Sequence, residues 1–344
     1  MLDLIASHED IELFVDHHVL EVGADWEINS AQITHVIAGK SDGSTAEFRA
    51  SKVVLCAGAL ETPRILLNSL PEWHQHHTQS AQHVGKYLMD HPMGPLFQVD
   101  WGVKAARKIF VGTPHGPRQN VVAALRPSAK AQKNKNIGNT AFYLRPSPAK
   151  GEDQASEDLK LALLTVFTKL KRGKLPLAEL WAVRCRPWLT LQVLQYKLGF
   201  DLGHRFAMGY VLSEQRPLAT SCVCLSDRRD VWGYAEADVH WEIDPQDIED
   251  LKEVYALVTE QFEISKYPDY EDWASNLSSA AHHLGTCRMA NSPAEGVVGR
   301  SGAIFGTSGL YVADGSTFVT SGNVNSTFSI MANAARMAKE IAVG

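Results

Sequence analysis

Long apolar runs, an excess of basic charge and paired cysteines are all missing from this sequence. Each absence removes a class of function. Without an apolar stretch long enough to span a bilayer, no transmembrane helix is expected. A net charge of −6, from 39 acidic and 33 basic residues, argues against nucleic acid as a partner. The five cysteines are odd in number and lack metal-type spacing, so neither a disulfide framework nor a metal site is expected. Cys222-Val223-Cys224 places two thiols on one face if that stretch is a strand, and buried free cysteines are the expected reading. Reduced thiols suit a cytoplasmic setting. The N-terminus, Met1-Leu2-Asp3-Leu4-Ile5, lacks the basic start of a signal peptide. There is no internal repeat and no low-complexity tract.

What is present is 344 residues of ordinary globular composition, enough for two domains. Residues 11–15, 18–22 (ended by Gly23), 33–38 and a stretch from Ala46 read as strands, with an Asp42-Gly43 turn before the last. Residues 52–57 are a short apolar run ending in Gly58, as expected of a buried strand. A helix is expected from Thr62-Pro63, with proline in a tolerated first-turn position. Strand, glycine turn and helix suit an α/β nucleotide-binding unit. Residues 71–100 read as loop and strand, and 115–155 as loops between short strands. Leucines in 157–200 point to helices, interspersed with Lys169, Lys171, Arg172 and Lys174. A membrane-surface helix and a helical cap are both open there, the cap favoured because amphipathic helices usually face a core. Residues 219–243 read as strands, and a helix with apolar residues at 248, 251, 254, 257 and 258 follows Asp244-Pro245.

Two segments near the C-terminus carry chemistry. Residues 281–289 read Ala-His-His-Leu-Gly-Thr-Cys-Arg-Met. Residues 311–316 read Tyr-Val-Ala-Asp-Gly-Ser, and Thr320-Ser321-Gly322-Asn323-Val324-Asn325-Ser326-Thr327 leads into a helix. Together they offer a histidine base and a helix N-terminus around one flat cofactor.

Four segments resemble, in order, those of the glucose–methanol–choline (GMC) flavoprotein oxidoreductases. They are residues 57–67 (Ala-Gly-Ala-Leu-Glu-Thr-Pro-Arg-Ile-Leu-Leu), 84–92 (Val-Gly-Lys-Tyr-Leu-Met-Asp-His-Pro), 282–289 and 311–330. The resemblance implies a mixed α/β (α+β) chain corresponding to the C-terminal three-fifths of a family member. It would hold part of an FAD-binding Rossmann-like domain (1–70 and 276–344) and a substrate domain with an antiparallel sheet and helical cap (71–275). The departures are specific. No Gly-x-Gly-x-x-Gly phosphate loop occurs, so roughly the first two-fifths of a member has no counterpart here. Gly299 stands where the family commonly has Asp, and Ser326 where Pro is more usual.

The implied reaction is oxidation of an alcohol or sugar hydroxyl to a carbonyl, with hydride passing to flavin N5. His282 matches the base, with His283 as the adjacent alternative. Asn325 matches the second active-site position, against a plain helix N-cap. Asn325, Ser326 and Thr327 would aim a helix N-terminus at the reduced flavin. Asp314 and Gly315 match positions near the ribityl chain and pyrophosphate, with an Asp-Gly turn equally open. Val19 matches a position meeting the adenine, and Gly58 a strand end open to close approach. Asp90-His91 reads as structural. Two other readings are open, a fragment that needs a partner chain and an FAD-containing lyase.

Overall fold

The computed structural model describes residues 7–27, 30–69, 78–100, 113–114, 120–121, 124–147, 153–187, 190–191, 206–260, 264–266 and 277–343. Its main elements in chain order are β1 (His18–Glu27), β2 (Ser30–Gly39), β3 (Thr45–Arg49), β4 (Val53–Leu55) and α1 (Gly58–Ser69). There follow β5 (Pro92–Asp100), β6 (Thr140–Ser147), α2 (Asp153–Lys171), α3 (Leu177–Cys185) and β7 (Phe206–Ser213). The last are β8 (Cys222–Arg229), β9 (Ala235–His240), α4 (Pro245–Thr259), β10 (Leu310–Val312) and α5 (Thr327–Val343). The chain is thus mixed α/β. It forms two compact units, one of residues 1–91, 214–244 and 281–344, the other of 92–213 and 245–280.

In the first unit β1, β2 and β3 form an antiparallel meander. The Asp42-Gly43 turn closes its second hairpin as expected, with the Asp42 carboxylate accepting from the Ser44 amide at 2.9 Å. Two sequence expectations fail here. Residues 11–15 form no strand: their side chains are exposed, Val15 to 72%, and they have no ladder partner. Strand β1 does not end at Gly23 but continues through a bulge at Gly23/Ala24, which keeps it paired with β2.

Strand β4 pairs in parallel with β10, Val53 facing Leu310 and Leu55 facing Val312. Both are apolar because their residues enter a core with Val22, Ile33, Leu66, Val298 and Ile304. Helix α1 begins at Gly58, earlier than Thr62-Pro63 predicted, so Pro63 lies inside it. A proline there leaves the carbonyl four residues back without its amide donor. That carbonyl belongs to Ala59, and Thr286 supplies the missing donor through its hydroxyl at 2.7 Å.

Residues 214–244 fold with this unit, although the expected boundaries placed all of 71–275 together. The reason is local: Asn68 of α1 grips the β9 backbone, donating to the Ala235 carbonyl at 3.0 Å and accepting from its amide at 3.1 Å. Arg64 adds an ion pair to Asp230 at 3.4 Å.

The second unit is built on an antiparallel sheet in which β7 lies between β5 and β6. Phe97, Phe142 and Tyr255 pack ring against ring, joining the sheet to α4. The 115–155 stretch, read as loops between short strands, contains β6 and also a short helix, Ala129–Lys135, which the sequence reading missed. That helix is capped by the Ser128 hydroxyl and ended by Asn136 in the left-handed conformation. Helices α2 and α3 pair through Leu159, Leu163 and Val183. The third expected leucine segment, residues 189–194, falls largely outside the described residues. No described helix is long and apolar enough to cross a membrane.

Candidate active site

The first unit gathers most of the sequence-selected residues at the exits of β4 and β10. Leaving β10, the chain reaches Asp314 and a 3-10 turn, Gly315–Thr317. The Asp314 carboxylate is buried and accepts four hydrogen bonds. One oxygen takes the Gly58 amide at 2.9 Å and the Thr62 hydroxyl at 2.6 Å. The other takes the Ser316 amide at 2.8 Å and hydroxyl at 2.5 Å. Four bonds fill the acceptor capacity of a carboxylate. Its charge also sits against the N-terminus of α1, where the helix dipole favours it.

Gly58 is needed for its backbone, with φ of +82°, a conformation that L side chains rarely adopt. Gly315 is needed for space: a Cβ there would meet Leu284 Cδ2 at 2.9 Å and the His283 carbonyl at 3.1 Å. Asp314, Gly58 and Gly315 therefore form a protein-filled junction that seats the 282–289 segment. Cys287 is buried within it, and burial raises its thiol pKa, with the Asp314 carboxylate adding to the shift.

The second cluster centres on Asp90, whose side chain is fully buried. Its carboxylate accepts from the amides of His91 at 2.6 Å, His282 at 3.0 Å and Ala281 at 3.2 Å. These bonds hold Ala281 at φ of +59°, a strained conformation for alanine. The turn they fix carries His282, which meets His91 edge to face with ring centroids 5.1 Å apart. His283 Nε2 lies 3.7 Å from the same carboxylate.

His282 Nδ1 is buried without a protein partner, as are both ring nitrogens of His91. The His91 ring lies near the Gly322 and Val324 backbone, short of ordinary hydrogen-bond geometry. Burial lowers the His91 pKa, and the neighbouring His282 lowers it further, against a smaller opposing pull from Asp90.

The loop from Ser321 leads to α5. Ser326 is its N-cap, its carbonyl receiving the Ile330 amide at 2.9 Å. Asn325 precedes the cap and is exposed, as are Thr327 and Phe328 of the first turn. The amides at the start of a helix have no intrahelical acceptor, so this turn presents donors and the positive dipole end. Val19 stands apart. It packs beside the β1–β2 core, and no described contact joins it to Asp90, Asp314 or α5. His91 is the residue the sequence reading set aside. The Asp90-His91 pair was its visible signal, but only folding shows it against His282.

Residues 217–334 match the GMC oxidoreductase family model. The GMC match thus takes in the His282 turn, the Asp314 junction and the start of α5. Over 331 residues the chain is 25% identical to 2-methyl-1,2-propanediol dehydrogenase of Mycolicibacterium austroafricanum, covering 92% of this chain and 54% of that protein. It therefore spans about half the length of that relative. Pyridoxine 4-oxidase from Mesorbium loti has a similar fold, with a TM-score of 0.55 and 15% identity over 97% of this chain and 58% of that one. An FAD-dependent oxidoreductase from Chaetomium thermophilum is similar at a TM-score of 0.56 and 17% identity, covering 98% of this chain and 62% of that one.

Proposed function

We propose that this chain carries the proton-accepting side of an FAD-dependent oxidoreductase that oxidises an alcohol or sugar hydroxyl to a carbonyl. The observation that carries this reading is the histidine pair, half-buried His282 against buried His91, with ring nitrogens lacking protein partners beside a turn pinned by Asp90. A half-buried imidazole with a free nitrogen can accept a hydroxyl proton near neutral pH. Its GMC setting makes alcohol oxidation the fitting chemistry.

The residues present fit a flavin on one side. The orphaned ring nitrogens supply polar contacts, and the amides at Thr327 and Phe328 supply donors for developing negative charge. The flavin, when bound, supplies the hydride acceptor. His282 takes the hydroxyl proton at a ring nitrogen. Asp90 holds the His282 backbone so that the ring keeps one position, and His91 packs against its edge. Asn325, exposed beside the α5 cap, orients the substrate oxygen. Gly58, Asp314 and Gly315 act indirectly, by keeping the His282 segment and the start of α5 in place. Val19 would meet the adenine from β1.

The test is His282→Ala against the parent chain, loaded with FAD and mixed anaerobically with an alcohol or sugar donor. Most of the flavin should be retained and its reduction slowed by more than about a hundredfold. Equal rates in parent and variant would rule His282 out as the base. A second reading, a chain that needs a partner polypeptide to hold FAD, is favoured by the absence of a Gly-x-Gly-x-x-Gly loop among 25 glycines.

A further inference from the structure

We propose that one face of the β8–β9 hairpin is a zinc-type metal site formed by Cys222, Cys224, Asp238 and His240. The cysteines alone lack metal-type spacing, and it is the strand pairing that creates the cluster. Cys222 lies directly opposite His240, and Cys224 opposite Asp238. Side chains alternate along a strand and opposed residues share a face. All four therefore project from the same side, while Val223, between the cysteines, is buried on the other.

The atoms are close enough to share an ion. Cys224 Sγ, an Asp238 carboxylate oxygen and a His240 ring nitrogen all lie within 4.8 Å of one another. His240 Nε2 is 3.3 Å from Asp238 Oδ2. The Cys222 and Cys224 thiols are close enough to act on one another electrostatically. In a tetrahedral zinc site, bonds of about 2.0–2.3 Å put ligand atoms roughly 3.3–3.7 Å apart. Small rotamer changes of half-exposed side chains close the difference. Two thiols, an imidazole and a carboxylate suit Zn²⁺ or its spectroscopic substitute Co²⁺, and are poorly matched to Mg²⁺ or Ca²⁺. Its position indicates a structural role, clamping the strands of a hairpin that α1 grips through Asn68. Nothing in this proposal depends on the flavin reading.

The experiment uses the full chain, stripped of metal and kept reduced with a phosphine, then titrated with CoCl₂. One equivalent should bind, giving thiolate-to-cobalt absorption and the visible bands of tetrahedral cobalt, and ZnCl₂ should abolish them. C224S and H240A should each weaken binding by more than about tenfold. C185S, which removes an exposed cysteine elsewhere, should leave it unchanged. Alkylation of the parent chain adds a readout that needs no variant to fold: Zn²⁺ should protect Cys222 and Cys224 and leave Cys185 reactive. Absence of a thiolate–cobalt band, survival of the band in both variants, or equal alkylation of all three cysteines with Zn²⁺ would each overturn the proposal.

Discussion

The Asp314 junction and the α2–α3 pair are held together in opposite ways. At the junction a buried carboxylate accepts four hydrogen bonds beside a wholly apolar core. Among the described residues the helix pair meets through Leu159, Leu163 and Val183 and a Lys169–Glu179 ion pair, and exposes Leu161, Leu164, Phe167, Leu170 and Trp181, Phe167 to 63%. One region is specified by single atoms that have no substitute, the other by helix-forming composition and a thin apolar seam. Rigid placement of His282 belongs to the first kind. The comparison predicts where substitutions hurt.

The largest effect is expected at Asp314. Asp314→Ala strands the Gly58 and Ser316 amides and should cost about 3–5 kcal/mol, seen as a lower midpoint in urea. A loss under about 1 kcal/mol would mean the junction is not the anchor described.

Next comes the repair at Pro63. Thr286→Val removes the hydroxyl that serves the Ala59 carbonyl and should cost about 1–3 kcal/mol. Adding Pro63→Ala restores an amide donor, so the double variant should recover part of that loss. If the two losses simply add, the hydroxyl is not compensating for the proline.

The histidine pair gives a pH signature. The His91 pKa is lowered on folding, so the unfolded chain binds more protons below its ordinary value of 6.5. Stability from this residue is therefore present above that value, and falls as pH drops toward the lowered folded value. Thermal unfolding from pH 7.5 downward should show the decline, and His91→Gln should flatten it. An unchanged slope in the variant would place the proton uptake elsewhere.

The smallest effect is expected on the helix pair. Phe167→Ser or Leu170→Ser should change stability by less than about 0.5 kcal/mol, whereas Leu310→Ala should cost about 2–5 kcal/mol. Comparable losses would show that the α2 face is packed after all.

These contrasts also explain what the sequence made legible. Apolar alternation and the Asp42-Gly43 turn located β1, β2, β3 and β4, because those signals are local. Four short segments pointed to the family and to His282, Asp314 and Asn325. What escaped depends on partners distant in sequence. The early start of α1 rests on Asp314, residues 11–15 lacked a partner strand, and the thiol–imidazole face of β8–β9 exists only through its register. His91 looked structural because nothing in the sequence places it against His282. Helical composition identified α2 and α3 but left open which face would be covered, the choice between a cap and a membrane surface.

The most direct test of the central claim is the visible absorption spectrum of the purified chain after FAD is added and the excess removed. The account predicts a retained flavin band that an alcohol or sugar bleaches under anaerobic conditions. A chain that retains the band but is bleached by no alcohol or sugar would contradict it, and one that retains no flavin would assign cofactor binding to a partner polypeptide.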